Sequence, residues 1–108
     1  MAEPTPMYLI AELDVRDPAK LLEYGRRVQP LMAERGGEML GASLAGAEAR
    51  EGDWAPGLLI LHRWRSREDF EAFWNSDEYA PIRELRHQAC DARIVTFDSD
   101  PPRFDPER

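Results

Sequence analysis

The stretch Trp74–Arg86, W-N-S-D-E-Y-A-P-I-R-E-L-R, gathers an indole, a phenol and two guanidinium groups in one short run. Tyr79, Arg83 and Arg86 stand at i, i+4 and i+7 and share one side of a helix that continues across Pro81. If Pro81 restarts the helix, only Arg83 and Arg86 are secured as neighbours. The chemistry such a side offers is an anion clamp, in which guanidinium groups hold a carboxylate or enolate and the phenol donates a hydrogen bond. The competing reading is structural: the arginines pair with Glu78, Glu84 or Asp91 and pin the helix. That reading is preferred for Arg83; for Arg86 both stay open.

Proton transfer needs a titratable partner. His62 and His87 are the only histidines. His62 shares strand parity with Leu58, Ile60 and Trp64, so it is either a core or rim histidine with a satisfied ring or a general base. His87 lies on a polar helix face and reads as exposed. With one cysteine, Cys90, and no H-x-x-x-H spacing, there is no metal-ligand pattern and no intramolecular disulfide. Cys90 reads as a buried, inert thiol. No serine sits in a histidine–acid context, no G-x-S-x-G occurs, and there is neither a phosphate loop nor a dinucleotide fingerprint. No cofactor is expected. Trp64 and Trp74 read as core, whereas Trp54 lies in a polar connection, placed to close over a pocket or reach a partner subunit.

These residues must be positioned by a small set of elements. Residues 7–15 alternate as a strand, with Tyr8, Ile10 and Glu12 on one face and Leu9, Ala11 and Leu13 on the other. Asp17-Pro18 opens a helix carrying Leu21, Tyr24, Val28, Leu31 and Met32 at helical spacing. Pro30 is expected to kink or divide it, and Gly36-Gly37 to end it. Residues 38–46 suggest a second strand, 47–57 a long hairpin connection, and 58–64 the clearest buried strand. Ser66 starts a helix with Phe70, Phe73 and Trp74 on its apolar stripe. Pro81 is expected to begin a third short helix, and residues 91–97 form a last strand.

The order β-α-β-β-α-β predicts an α+β, ferredoxin-like domain over residues 7–97, followed by a proline-rich acidic tail at 98–108. One sheet face is covered by helices. The other carries apolar residues that something must cover, most simply a second copy of the chain. At 108 residues the chain is one domain, and its 43% apolar content marks it as folded. Its net charge of −7 argues against nucleic acid or an anionic membrane as partner. No apolar run reaches spanning length and the N-terminus lacks an apolar signal segment, so the expected location is cytoplasmic.

Tyr8, Asp17-Pro18, Tyr24, Gly36-Gly37 and Glu51-Gly52-Asp53-Trp54 form a recognisable set. So do the strand ending at Trp64 before Ser66, and then Trp74, Ser76, Tyr79, Leu85 and Arg86. On these residues the chain resembles the domain of unknown function 1330 family and, more broadly, the dimeric α/β-barrel superfamily. The resemblance implies a homodimer of ferredoxin-like subunits with a pocket between sheet and helices for small aromatic or polyketide-like molecules. The superfamily includes monooxygenases, isomerases, cyclases, dehalogenases and haem-degrading enzymes; the family has no agreed reaction. Where the family usually has an acid this chain has Arg63, and where it often has a base or histidine this chain has Glu12. With the first and third strands taken as adjacent and parallel, a Glu12–Arg63 ion pair is feasible.

Two readings follow. In the first, a cofactor-independent enzyme moves a proton with Glu12 or His62 and binds its substrate with Tyr79, Arg86, Arg63, Trp54 and Tyr8. In the second, a non-catalytic homodimeric module uses the same residues to hold itself together or to bind a ligand.

Overall fold

The computed structural model describes residues 4–99. The expected tail therefore lies outside the described residues, apart from Asp98 and Ser99. Seven elements follow one another: β1 (Met7–Val15), α1 (Pro18–Glu34), β2 (Gly37–Ala42), β3 (Leu58–Trp64), α2 (Arg67–Trp74), α3 (Tyr79–Ala89) and β4 (Cys90–Asp98).

Local chemistry accounts for most boundaries. Asp17 caps α1 by accepting the Lys20 N–H at 3.1 Å, with Pro18 in the first turn where no N–H is missed. Gly36, at φ 90°, ends it in a conformation only glycine takes without strain. Ser66 caps α2 by accepting the Asp69 N–H at 3.1 Å. Pro30 does not divide α1, which runs unbroken around it. Val28 and Met32, on either side, are both buried, and their packing outweighs one absent helical hydrogen bond. The third helix starts at Tyr79, two residues earlier than expected, so Pro81 falls within its first turn. Ser76 makes this start possible: its Oγ donates to the Phe73 carbonyl at 2.8 Å and accepts from the Tyr79 N–H at 3.2 Å.

The sheet order is β2-β3-β1-β4, with every neighbouring pair antiparallel. This corrects the parallel pairing expected for β1 and β3. The register places Glu12 opposite Leu59 and Arg63 opposite Tyr8, so no Glu12–Arg63 pair forms. Strand β2 is shorter than expected, and a bulge between Met39 and Gly41 interrupts its pairing with β3.

Met7, Leu9, Ala11 and Leu13 line the helix-facing side of β1 and are buried against Val28, Met32, Phe70 and Phe73. Trp64 is the aromatic centre, 4.8 Å from the Phe73 ring and 5.4 Å from that of Phe70. A Cβ at Gly37 would sit 2.7 Å from the Trp64 ring, so the second glycine of the pair is required by close packing. On the opposite sheet face Ile10, Leu61, Val95 and Phe97 remain exposed, and Tyr8 stacks on Phe97 with ring centroids 5.7 Å apart.

Candidate functional site

Between α1, α3 and the helix-facing side of the sheet lies a cavity of about 960 Å³. Its walls are Leu9, Ala11 and Leu13 of β1, Leu58 and Ile60 of β3, Ile94 of β4, and Phe70, Phe73 and Trp74 of α2. Apolar walls with a few converging polar groups are the usual make-up of a small-molecule site. Here the polar groups along the inner walls are Tyr24, His62, Tyr79 and Arg86, and no carboxylate lines the cavity among the described residues.

Three of these groups meet where α1 packs on α3. The Tyr24 and Tyr79 hydroxyls lie 2.9 Å apart, and Tyr79 is 1% exposed. Arg86, two turns further along the same face of α3, is 6% exposed, and its Nε has no hydrogen-bond partner. A guanidinium so buried is costly unless an anion or several acceptors compensate it. Loss of solvation opposes its charge, but the facing phenols of Tyr79 and Tyr24 outweigh that and keep the guanidinium above its ordinary acidity constant. Burial, with Tyr79 at close range, pushes the Tyr24 phenol well above the ordinary tyrosine range, so it stays neutral. Arg83 donates to the Trp74 carbonyl and lies over the Trp74 and Tyr79 rings, 4.6 and 5.0 Å from their centroids. It thus braces the aromatic wall, through a carbonyl and two rings rather than through the acids expected as its partners.

His62 lines the same cavity from β3. Its Nδ1 is buried without a partner, so the ring is not the satisfied core histidine expected. Burial lowers its acidity constant to about 4, which leaves the imidazole neutral near pH 7.

The remaining candidates lie on the other side of the sheet. Glu12 accepts from Arg93 Nε at 3.0 Å, from Trp54 Nε1 at 3.4 Å and from the Gly57 N–H at 3.3 Å. The Arg93 guanidinium, with Trp54 assisting, holds its carboxyl below the usual carboxylate value. Arg63 pairs with Glu38 at 3.6 Å. Tyr8 stacks on Phe97, and Trp54 is half exposed in the loop beyond the sheet. Glu12, Arg63, Trp54 and Tyr8 therefore stand apart from the cavity that holds Tyr79, Arg86 and His62. His87 is exposed beside Glu84, and Cys90 is buried with its thiol pushed up by desolvation. No group of three or more potential ligating side chains occurs among the described residues.

Tyr24 lines the cavity beside Tyr79, and was read from the sequence as part of the apolar helix stripe and of the family resemblance, not as a site residue. The available signal was its polar tip: a tyrosine within a buried stripe needs a hydrogen-bond partner.

A four-stranded antiparallel sheet covered on one side by helices defines a ferredoxin-like α+β protein. The chain belongs to the domain of unknown function (DUF1330) family, which matches residues 6–99. None of the curated proteins matches it in sequence. Among solved structures it resembles a protein of unknown function from Rhodopseudomonas palustris, at 16% identity and a TM-score of 0.75, over 91% of this chain and 85% of that one. A dimeric ferredoxin-like protein of unknown function from Thermobifida fusca aligns at 13% identity and a TM-score of 0.59, over 92% and 100% of the two chains. SnoaB, a cofactor-independent oxygenase from Streptomyces nogalater, aligns at 14% identity and a TM-score of 0.60, over 94% and 97%. At these identities the likeness is one of fold.

Proposed function

We propose that this protein binds a small aromatic or polyketide-like compound in the cavity and acts on it without a cofactor, as an isomerase, cyclase or monooxygenase. The observation that carries this reading is Arg86, a permanent cation buried in the cavity wall beside a hydrogen-bonded pair of phenols, with no lining carboxylate among the described residues to neutralise it. Such a group stabilises an oxyanion that develops on a bound carbonyl compound. The imidazole of His62 would take the proton from carbon, leaving the electron pair delocalised onto the oxygen held by Arg86, Tyr79 and Tyr24. Isomerisation or cyclisation returns that proton; oxygenation would use dioxygen as the second substrate.

The fold's likeness to a cofactor-independent oxygenase supports the reading without fixing the reaction. One observation favours the non-catalytic alternative: among the described lining residues the neutral His62 is the only proton acceptor of ordinary strength, and its basicity is depressed. We also propose that a second copy covers the open sheet face, as the dimeric ferredoxin-like neighbours suggest. A cytoplasmic location fits the lone, unpaired Cys90.

The test is a thermal-shift screen of small aromatic acids and quinones on the wild type and on Arg86→Gln, followed by mass analysis of each hit after incubation. A stabilised wild type, an unresponsive Arg86→Gln and a changed compound are expected. Hits recovered unchanged would leave the binding module; hits indifferent to Arg86→Gln would remove the arginine from the site.

A further inference from the structure

The one buried charge in the cavity wall among the described residues is Arg86, whereas most of the exposed lining is apolar, the reverse of what contact with water would favour. At the α1–α3 seam stand Arg86 and Tyr79, 6% and 1% exposed. Elsewhere in the lining, on α1, on β2 and just beyond β2, Leu22, Met39 and Leu44 are 58%, 39% and 85% exposed. Large apolar side chains held in water around the mouth of a cavity are a surface waiting to be covered.

We infer that the ligand is an amphiphilic monoanion seated head-inward, with its acidic group against Arg86, Tyr24 and Tyr79 and its apolar end emerging between Leu22 and Leu44. This rests on the reading of the cavity as a ligand site. The charge follows from the count of cations. Among the described residues Arg86 is the one buried cation of the lining, so a second negative charge beside it would be left uncompensated in a low-dielectric space. The orientation follows from solvation. Arg26 also lines the cavity, but at its exposed part, where water already solvates the guanidinium and an incoming anion gains little. Arg86 lacks that solvation and gains more from the same anion. A carboxylate and a phenolate or enolate offer the same chemistry, a single negative charge on oxygen that presents several acceptor lone pairs.

The experiment measures affinity by calorimetry, at a pH where both acids are ionised, for 2-naphthoic acid and its methyl ester, for 4-nitrophenol and its methyl ether, and for a straight-chain fatty acid carrying a dansyl group at its far end. At least one acid is expected to bind about tenfold or more tightly than its methylated partner, the scale of a charge-assisted hydrogen-bond pair. Which pair shows the larger ratio separates the two sources of the anion. The ratio should collapse in Arg86→Gln and persist in Arg26→Gln, and the dansyl group should be tolerated. Equal binding of acid and methylated partner, a ratio that follows Arg26, or exclusion of the far-end label would each overturn head-inward binding while leaving the cavity reading intact. If no compound binds the wild type, both fail. The methylated pairs and the dansyl label are read on the wild type, so the outcome does not depend on whether Arg86→Gln folds.

Discussion

Arg86, buried, and His62, half-buried, line the same cavity and differ in what loss of solvent does to them. The guanidinium cannot shed its proton and must find an anion; the imidazole can, and does. Because burial holds His62 near 4 against an ordinary value of 6.5, the unfolded chain binds a proton across that interval that the folded chain excludes. Its contribution to stability is therefore complete above pH 6.5 and is lost as pH falls toward 4. The loss is on the order of 3 kcal/mol at most. His62→Gln should flatten urea-denaturation stability across this window, and an unchanged slope would place the titration elsewhere. Glu12 does not confuse the measurement, since its carboxyl sits below 4.5 and acts at lower pH. At this scale Arg86, Tyr79 and His62 were legible in the sequence because their types are chemically conspicuous. Tyr24 was not, because its partner is Tyr79, far along the chain, and only the packing of α1 on α3 brings the two hydroxyls together. Glu12 misled for the matching reason: its partner is set by β4 lying beside β1, which places Arg93, not Arg63, at its side.

Elements set these meetings. The boundaries of β1 and β3 and the caps of α1 and α2 could be read locally, since each depends on a side chain within a few residues. The start of α3 could not, because Ser76 draws Tyr79 into the helix from outside it. Two residues matter here: had α3 begun at Pro81, Tyr79 would lie in a turn, away from the face that carries Arg86. The glycine pair shows the same division. Gly36 answers to its own backbone angle, but Gly37 answers to Trp64, against which a methyl would lie at 2.7 Å. Gly37→Ala should therefore destabilise the fold by about 1–3 kcal/mol, the range for overpacking a tight site. Gly41→Ala, with nothing within 4 Å, serves as the control. Equal midpoints for the two variants in chemical denaturation would show that the indole moves aside at little cost.

For the whole molecule the unequal faces of the sheet decide the assembly. One face is filled by helices and holds the cavity; the other leaves Ile10, Leu61, Val95 and Phe97 in water. Burying Val95 in a second subunit is favourable, whereas burying an aspartate there costs several kcal/mol unless it is paired. Val95→Asp should weaken self-association on the order of 100-fold, seen as monomer in sedimentation velocity at concentrations where the wild type is paired. A wild type that sediments as a monomer throughout would remove the second copy from the open face. Because that face is separate from the cavity, ligand affinity in Val95→Asp should stay close to that of the wild type.

The strand order carries a consequence in time. β1, first in the chain, is an inner strand, and its outer neighbour is β4, the last, with Met7 set opposite Asp98. That pairing closes a loop spanning nearly the whole described chain, so its entropy must be lost before the ladder gives anything back. Until β4 arrives, one edge of the central strand is open, and Glu12 lacks Arg93. Refolding should then be slow for so small a domain, in milliseconds to seconds, and its rate should respond to substitutions in the β1–β4 ladder more than to those at the edge strand β2.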